Sequence, residues 1–139
     1  MAACQAAPHD IIYRLALVMS KFSSTLMDHF QAPRNSGKLD NPSSVGTSGS
    51  PGSGPYMVFH LQTNQDVVVD IKYQTYGCGA AIAAGSVLTT LVKNRPIDDC
   101  LAITSDQLIQ AMDGIPDDKI HCASLAIEAL HDGLRNITQ

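Results

Sequence analysis

Two cysteines stand in settings that favour a reactive or metal-binding thiol. Cys78 lies between Gly77 and Gly79, where a pattern typical of a strand gives way to one typical of a helix. Cys122 directly follows His121, in what reads as the first turn of the last helix. Unpaired N–H groups and the dipole at a helix N-terminus favour the thiolate, which is the form that binds metal and attacks sulfur. Two such thiolates and an imidazole are three ligands of a soft-metal site.

Less reactive interpretations apply to the same residue types. A lone cysteine is most often a small buried apolar side chain. Cys100 reads as part of a short helix and Cys4 lies in a segment without a clear element, so neither is predicted to be a ligand. A thiol enzyme with Cys122 as nucleophile and His121 as base is the main rival, but adjacent helix residues do not face one another and no third group orients the histidine. We therefore expect a protein that is not an enzyme.

The first element that must position these residues is a helix. Lys21–Gln31 carries apolar residues at helical spacing, with Ser23 or Ser24 as its cap and Pro33 as its stop. His29 lies within this helix, where a surface or capping role is expected.

Strands follow the helix. Tyr56–Thr63 and Asp66–Gln74 alternate between apolar and polar residues, which is typical of strands with one buried face. Asn64–Gln65 is expected to join them as a hairpin turn, and a further short strand is expected near Ser44–Thr47. His60 is predicted to face outward from its strand.

The remainder of the chain is predicted to be helical. Helices are expected over residues 80–93, 96–102 and 106–112, and from about residue 117 to residue 135. The order of helix, strands and then a run of helices predicts an α+β fold, with a small antiparallel three-stranded sheet and helices packed on one face.

Composition narrows the classes of function. The 139 residues are enough for one domain, and a net charge of −4 with 5% aromatic residues argues against nucleic acid binding. The apolar stretch at residues 11–18 is too short to span a membrane and lacks the basic start of a signal peptide. The four cysteines form no CxxC pair and are expected to be free thiols in a reducing, cytoplasmic setting. We expect residues 1–18 to be an extension outside the fold and residues 19–139 to be the domain.

Three blocks of the chain resemble a known family. Asp28–Gly37 reads DHFQAPRNSG, Lys72–Ser86 reads KYQTYGCGAAIAAGS and Lys119–Ala126 reads KIHCASLA. In this order and spacing they resemble the blocks DH(Y/F)xxPRNxG, (K/R)TxGCGxAIAxxS and KxHCSxLA of the IscU/NifU N-terminal-type iron–sulfur cluster assembly scaffolds. The resemblance runs from about Phe22 to Asn136, which is nearly the whole expected domain.

The resemblance implies a function and a set of site residues. Scaffolds of this family accept sulfur from a cysteine desulfurase and iron from an iron donor, build a [2Fe–2S] cluster and pass it to client apoproteins. By position, Cys78 and Cys122 match two of the three ligand cysteines, His121 matches the histidine beside the third, and Cys122 matches the persulfide acceptor. The histidine directly before Cys122 favours this branch over the zinc-dependent sulfur-transfer branch.

Two segments depart from the family pattern. Gly49–Pro55 reads GSPGSGP, which places Ser53 where the family has its first ligand cysteine and Pro55 where it has an aspartate. A serine hydroxyl is a harder and less acidic ligand than a thiolate and binds iron or zinc poorly. Ile115–Lys119 reads IPDDK where the family has a chaperone-docking segment, and its two acidic residues argue against recognition by a dedicated Hsp70-type chaperone.

Three functions remain open from the sequence. The first is a working scaffold in which Ser53, a solvent ligand, a partner residue or a second subunit of a homodimer completes the site. The second is a degenerate paralogue that binds a desulfurase or a true scaffold and regulates assembly. The third is a protein that binds a single iron or zinc ion, or accepts persulfide on Cys122, without building a cluster. We prefer the first, because Cys78, His121 and Cys122 are intact and nothing else in the chain offers a new activity.

Overall fold

A computed structural model describes residues 22–50, 52 and 54–138. The predicted extension at residues 1–18, together with Cys4 and Ser53, lies outside the described residues. In chain order the elements are α1 (Ser24–Gln31), β1 (Ser44–Gly49), β2 (Tyr56–Asn64), β3 (Val67–Tyr76), α2 (Gly79–Val92), β4 (Arg95–Pro96), α3 (Ile97–Leu101), α4 (Ser105–Ala111), a 3-10 turn (Asp117–Lys119) and α5 (Ile120–Thr138).

The described strands form one antiparallel sheet in the order β1-β2-β3-β4. This confirms the predicted α+β fold, with one strand more than expected. The additional strand, β4, consists of Arg95 and Pro96, which pair with Val68 and Val67 of β3. A strand of two residues carries no alternation of apolar and polar side chains, so its sequence gives no strand signal.

The hairpin turn between β2 and β3 lies one residue later than predicted. Strand β2 continues through Asn64, and the two residues between the strands are Gln65 and Asp66. Their φ angles are 54° and 66°, and positive φ at both central residues is the mark of the type I′ turn, whose twist matches that of the strands. Neither residue is glycine, which is why the sequence did not mark the position of the turn.

The inner face of the sheet packs against the helices α2 and α5. Its largest fully buried side chains are Met57, Phe59 and Leu61 of β2 and Val68, Ile71 and Tyr73 of β3. The Tyr73 ring occupies space left by Gly85 of α2, where an added Cβ atom would lie 2.5 Å from the ring. The Tyr73 hydroxyl donates to the carbonyl of Ile82 at 2.7 Å. The small residues of α2 therefore let it approach the sheet closely.

Strand β1 and helix α5 meet backbone to backbone. A Cβ atom added to Gly46 would lie 2.2 Å from the carbonyl oxygen of Ala129 and 2.3 Å from the nitrogen of Gly133. The hydroxyl of Ser44 donates to the Gly133 carbonyl at 2.7 Å. Glycine at both contact positions is thus required by the spacing of the two elements.

Both edges of the sheet are covered by other parts of the chain. On β1, the carboxylate of Asp132 accepts a hydrogen bond from the backbone N–H of Thr47 at 3.0 Å. On β3, Tyr73 accepts from the N–H of Gly37 and donates to the carbonyl of Asn35, at 2.9 and 3.0 Å. Covered edges leave no row of free N–H and C=O groups for pairing with another chain.

Local capping sets the helix starts. The side chain of Ser23 accepts from the N–H of Leu26, so α1 begins at Ser24 and not at Lys21. Thr104 and Gln107 form a reciprocal capping box at the start of α4. Among the described residues, no helix has the length and apolar content needed to cross a membrane.

Candidate functional site

Cys78 is the N-cap residue of α2, at the junction of β3 and that helix. The glycine after it is required there, because a Cβ atom on Gly79 would lie 3.0 Å from the ring of Phe30 in α1. Gly77 before it lies near Pro55, whose Cβ atom would be 4.0 Å from an added one. The two glycines thus admit Phe30 of α1 on one side of Cys78 and Pro55 on the other, and Cys78 itself remains half-buried.

Cys122 lies beside Cys78, although 44 residues separate them in the chain. The two sulfur atoms are 3.4 Å apart, and the Nε2 atom of His121 lies 3.6 Å from the Cys122 sulfur. Cys122 is only 2% exposed, whereas His121 is exposed. The fold therefore brings together three residues that the sequence singled out, with Cys122 contacting each of the other two.

The pKa values of the two thiols are shifted in opposite directions. Burial acts to raise the pKa of Cys78, but the N–H groups of Ala81 and Ala80, the Cys122 thiol and the charge of Lys119 outweigh it, and that pKa is lowered. Burial, then the hydrogen bond to Cys78 and the charges of Cys78 and Asp118, together raise the pKa of Cys122 to about 12, against the opposing charge of Lys119. Cys78 therefore ionises more readily than Cys122.

This distribution differs in part from the sequence-based prediction. A helix N-terminus was expected to favour the thiolate at both cysteines. It does so at Cys78, where α2 begins. At Cys122, which follows the turn Asp117–Lys119 and the first residues of α5, burial and the neighbouring Cys78 raise the pKa instead.

The described residues alone do not enclose a metal ion. Within residues 22–50, 52 and 54–138, no group of three or more His, Cys, Asp and Glu side chains is arranged to hold one. The thiols of Cys78 and Cys122 are nevertheless close enough to bind the same ion. The chemistry that this arrangement supports is soft-metal binding by a thiol pair, or attack by a thiolate on sulfur.

The remaining predicted ligand, Ser53, lies outside the described residues. Its sequence neighbours Gly52 and Gly54 line an open depression of about 470 Å³ together with Tyr56 and Tyr76. The two tyrosine rings stack with centroids 6.2 Å apart, and Tyr76 is 66% exposed. The exposed Tyr76, stacked on the half-buried Tyr56, therefore lies two residues before Cys78, and the sequence analysis gave this pair no role.

A polar cluster behind the site was also missed. The Nδ1 atom of His29 lies 2.7 Å from the Oγ atom of Ser86, which is fully buried and accepts from the N–H of Arg34 at 2.8 Å. Burial lowers the pKa of His29, and the Arg34 charge adds to this effect. Ser86 therefore holds both the His29 side chain of α1 and the backbone of Arg34 against α2. This polar cluster could have been predicted from the sequence, because His29, Arg34 and Ser86 all lie within two of the family-like blocks.

Cys100 lies in the core, within the short helix α3 where the sequence predicted a helix. It is fully buried, its sulfur lies 3.7 Å from the carbonyl of Val92, and burial raises its pKa to about 11. A buried thiol of this kind is inert.

The sequence is similar to a known protein family and to several of its members. Residues 21–139 match the family described as the NifU-like N terminal domain. The chain is 42% identical over 109 residues to the iron–sulfur cluster assembly scaffold protein IscU 1 of Archaeoglobus fulgidus, covering 78% of this chain and 71% of that protein. It is 38% identical over 118 residues to the scaffold protein IscU of Aquifex aeolicus, covering 84% and 75%.

Solved structures share the fold. An N-terminal NifU-like protein from Brucella abortus has a TM-score of 0.70 at 20% identity and covers 87% of this chain and 96% of that chain. A protein from Fervidobacterium islandicum that is assigned to the SUF system of iron–sulfur cluster assembly has a TM-score of 0.66 at 16% identity, covering 84% of this chain and 98% of that chain.

Proposed function

The chain belongs to the family of NifU-like N-terminal domains, and on that premise we propose that it is an iron–sulfur cluster assembly scaffold and not an enzyme. It accepts sulfur from a cysteine desulfurase and iron from an iron donor, builds a [2Fe–2S] cluster and passes it to client apoproteins. The cluster is cargo that the protein binds and releases. The observation that carries the proposal is the 3.4 Å contact between the sulfur atoms of Cys78 and Cys122, with His121 beside them.

Cys122 is the proposed sulfur acceptor. Its sulfur attacks the terminal sulfur of the desulfurase persulfide, the S–S bond of that persulfide breaks, and the desulfurase thiolate leaves. The proton of Cys122 passes to the Cys78 sulfur, which lies 3.4 Å away. Reduction of the acquired sulfur to sulfide takes two electrons from a reductant supplied by the assembly system.

The residues around the pair support ligand binding. Cys78 and Cys122 supply thiolates, which are the usual ligands of iron–sulfur clusters, and His121 supplies the imidazole that replaces cysteine in some of them. The positive charge of Lys119 acts on both thiols and favours their charged forms. A negatively charged cluster would be stabilised by the same charge.

A second candidate function is favoured by the composition of one segment. Gly49–Pro55 contains no Cys, Asp, Glu or His, so the family's first cysteine and its aspartate have no counterpart there. A degenerate paralogue that binds a desulfurase or a single iron or zinc ion, and that relays sulfur or regulates assembly, would need only Cys78, His121 and Cys122.

Anaerobic incubation with a cysteine desulfurase, cysteine and iron separates the two candidates. We expect equal amounts of iron and acid-labile sulfide on the chain and thiolate-to-iron absorption bands. We expect the C122S variant to gain no persulfide sulfur in a mass spectrum recorded without iron, with the C100S variant as the matched control. Metal without sulfide, or no metal, would favour the degenerate paralogue. Persulfide on C122S equal to that on the unaltered chain would move the acceptor elsewhere.

A further inference from the structure

The sulfur atoms of Cys78 and Cys122 lie at the distance that separates a nucleophile from the atom it attacks. They are 3.4 Å apart, and reacting atoms held about 3–3.5 Å apart are positioned for reaction. A disulfide bond is about 2.0 Å long, so its formation requires the two sulfur atoms to approach by roughly 1.4 Å. The pair is therefore a dithiol that a small movement converts into a disulfide.

The contact between the two thiols is made by the packing of two helices. Cys78 is the N-cap residue of α2, and a Cβ atom on the adjacent Gly79 would lie 3.0 Å from the ring of Phe30. Cys122 belongs to α5, which packs against α2 and against the sheet. The two cysteines are 44 residues apart in the chain, so their contact depends on the folded arrangement of these elements.

A persulfide on Cys122 contains two sulfur atoms that a thiolate can attack. Attack on the terminal sulfur moves the persulfide to the attacking thiol, whereas attack on the inner sulfur releases the terminal sulfur as sulfide. The inner sulfur is the Cys122 sulfur itself, which is the atom that Cys78 contacts. The third cysteine of the described residues, Cys100, lies in the core with its sulfur 3.7 Å from the carbonyl of Val92. The arrangement of the site therefore favours attack by Cys78 on the inner sulfur.

We propose that Cys78 is the resolving thiol that releases the accepted sulfur as sulfide. The proton that Cys78 received from Cys122 moves to the terminal sulfur, and the Cys78 sulfur then attacks the Cys122 sulfur. The S–S bond of the persulfide breaks, HS⁻ leaves, and a disulfide joins Cys78 to Cys122. The released sulfur atom gains two electrons, and the two cysteine sulfur atoms together lose two. This inference rests on the proposed function, in which Cys122 is the sulfur acceptor.

The disulfide separates sulfide release from metal binding. A disulfide has no thiolate to offer to iron, so the pair binds metal only after the disulfide has been reduced. A thiol reductant restores it: two thiol groups of the reductant become a disulfide, and Cys78 and Cys122 become thiols again. The two electrons that the assembly system supplies therefore enter at the Cys78–Cys122 disulfide and not at the persulfide.

A single round of sulfur transfer without added thiol tests the proposal. The full chain is reduced, freed of reductant and metal, and incubated anaerobically with a cysteine desulfurase, a metal chelator and one equivalent of cysteine. Sulfide is measured in the ultrafiltrate, and peptide mass spectrometry without reduction measures the disulfide and the persulfide on the alkylated chain. We expect sulfide and the Cys78–Cys122 disulfide in equal amounts, both from the unaltered chain and from the matched control C100S.

The C78S variant removes the proposed nucleophile. We expect it to hold on Cys122, as persulfide, the sulfur that it gains, and to release sulfide at least about tenfold more slowly, because the intramolecular attack is lost. Equally fast release from C78S would overturn the inference.

The unaltered chain supplies outcomes that do not depend on the folding of a variant. Persulfide that stays on Cys122, or that moves to Cys78 without a disulfide, would overturn the resolving role and leave sulfur acceptance intact. If the unaltered chain gains no sulfur and forms no disulfide, both the acceptor role of Cys122 and the resolving role of Cys78 fail.

Discussion

At the scale of single residues, the site depends on how two sulfur atoms share a proton. Cys78 and Cys122 differ in exposure and in helix position, and they lie close enough for the charge of one to suppress the ionisation of the other. Of the two thiols, Cys78 therefore ionises more readily. In the proposed sulfur transfer, Cys122 attacks as its proton passes to the sulfur of Cys78.

Alkylation with iodoacetamide as a function of pH tests this distribution. The reagent reacts with thiolates, and the thiolate fraction rises as the pH passes the pKa. We expect Cys78 to be modified at a pH below its ordinary pKa of 9.0, while Cys122, with a pKa raised to about 12, stays unmodified. Peptide mass spectrometry measures each site separately.

The C78S variant provides the matched control for the alkylation experiment. It removes the hydrogen bond and the charge that help to raise the pKa of Cys122, so Cys122 should become reactive at lower pH, although burial still hinders it. Earlier modification of Cys122 than of Cys78 in the unaltered chain would contradict the distribution.

The sequence could predict which residues meet at the site but not their protonation. Cys78, His121 and Cys122 were recognised by flanking glycines, helix position and family-like blocks, and the fold brings Cys122 into contact with the other two. The contact that raises the pKa of Cys122 joins two residues 44 positions apart, and no local pattern encodes it. The hydrogen bond from His29 to Ser86 was missed for the same reason, because it joins two helices.

At the scale of elements, the position of Cys122 depends on how α5 packs against the sheet. The close approach of β1 and α5 at Gly46 and Gly133 fixes that helix along its length. Hydrogen bonds between α5 side chains and the β1 backbone hold the same contact: the Asp132 carboxylate accepts from the N–H of Thr47, and the Asn136 amide donates to the carbonyl of Val45. Because α5 is held in this way, Cys122 lies beside Cys78 at the start of α2.

We expect the G46A variant to be less stable by about 2–4 kcal/mol, because its new Cβ atom would overlap backbone atoms of α5. Backbone atoms cannot move aside as the end of a flexible side chain can. Urea unfolding followed by circular dichroism measures the change. V45T, one residue away with an exposed side chain, is the control and should change the free energy of unfolding by about 0.5 kcal/mol or less. A G46A variant as stable as V45T would contradict the backbone contact.

Elements with a strong pattern were predictable, and those set by geometry were not. The alternation in β2 and β3 and the apolar spacing of α2 and α5 gave their types and approximate bounds. The two-residue strand β4 and the Gln65–Asp66 turn arise from the pairing of β3 with its neighbours. Such features appear only when the whole sheet is assembled.

At the scale of the whole molecule, the described residues place the two cysteines at a junction of three elements. Both sheet edges are covered by the chain's own segments, and the inner sheet face is buried under α2 and α5. The site cysteines meet where β3, α2 and α5 come together, flanked by the exposed side chains of Tyr76 and Ile120. A cargo that must be received and handed on is best held at such an accessible junction.

Transfer of a cluster to a client protein tests the scaffold function most directly. The chain is loaded anaerobically, freed of excess iron and sulfide, and mixed with an apo-ferredoxin in the presence of an iron chelator. We predict that the ferredoxin gains its [2Fe–2S] circular dichroism spectrum while the chelator captures little iron, because the cluster passes intact between thiolates. If the chain holds no cluster, or if the chelator prevents the ferredoxin from acquiring one, the protein is not a cluster assembly scaffold.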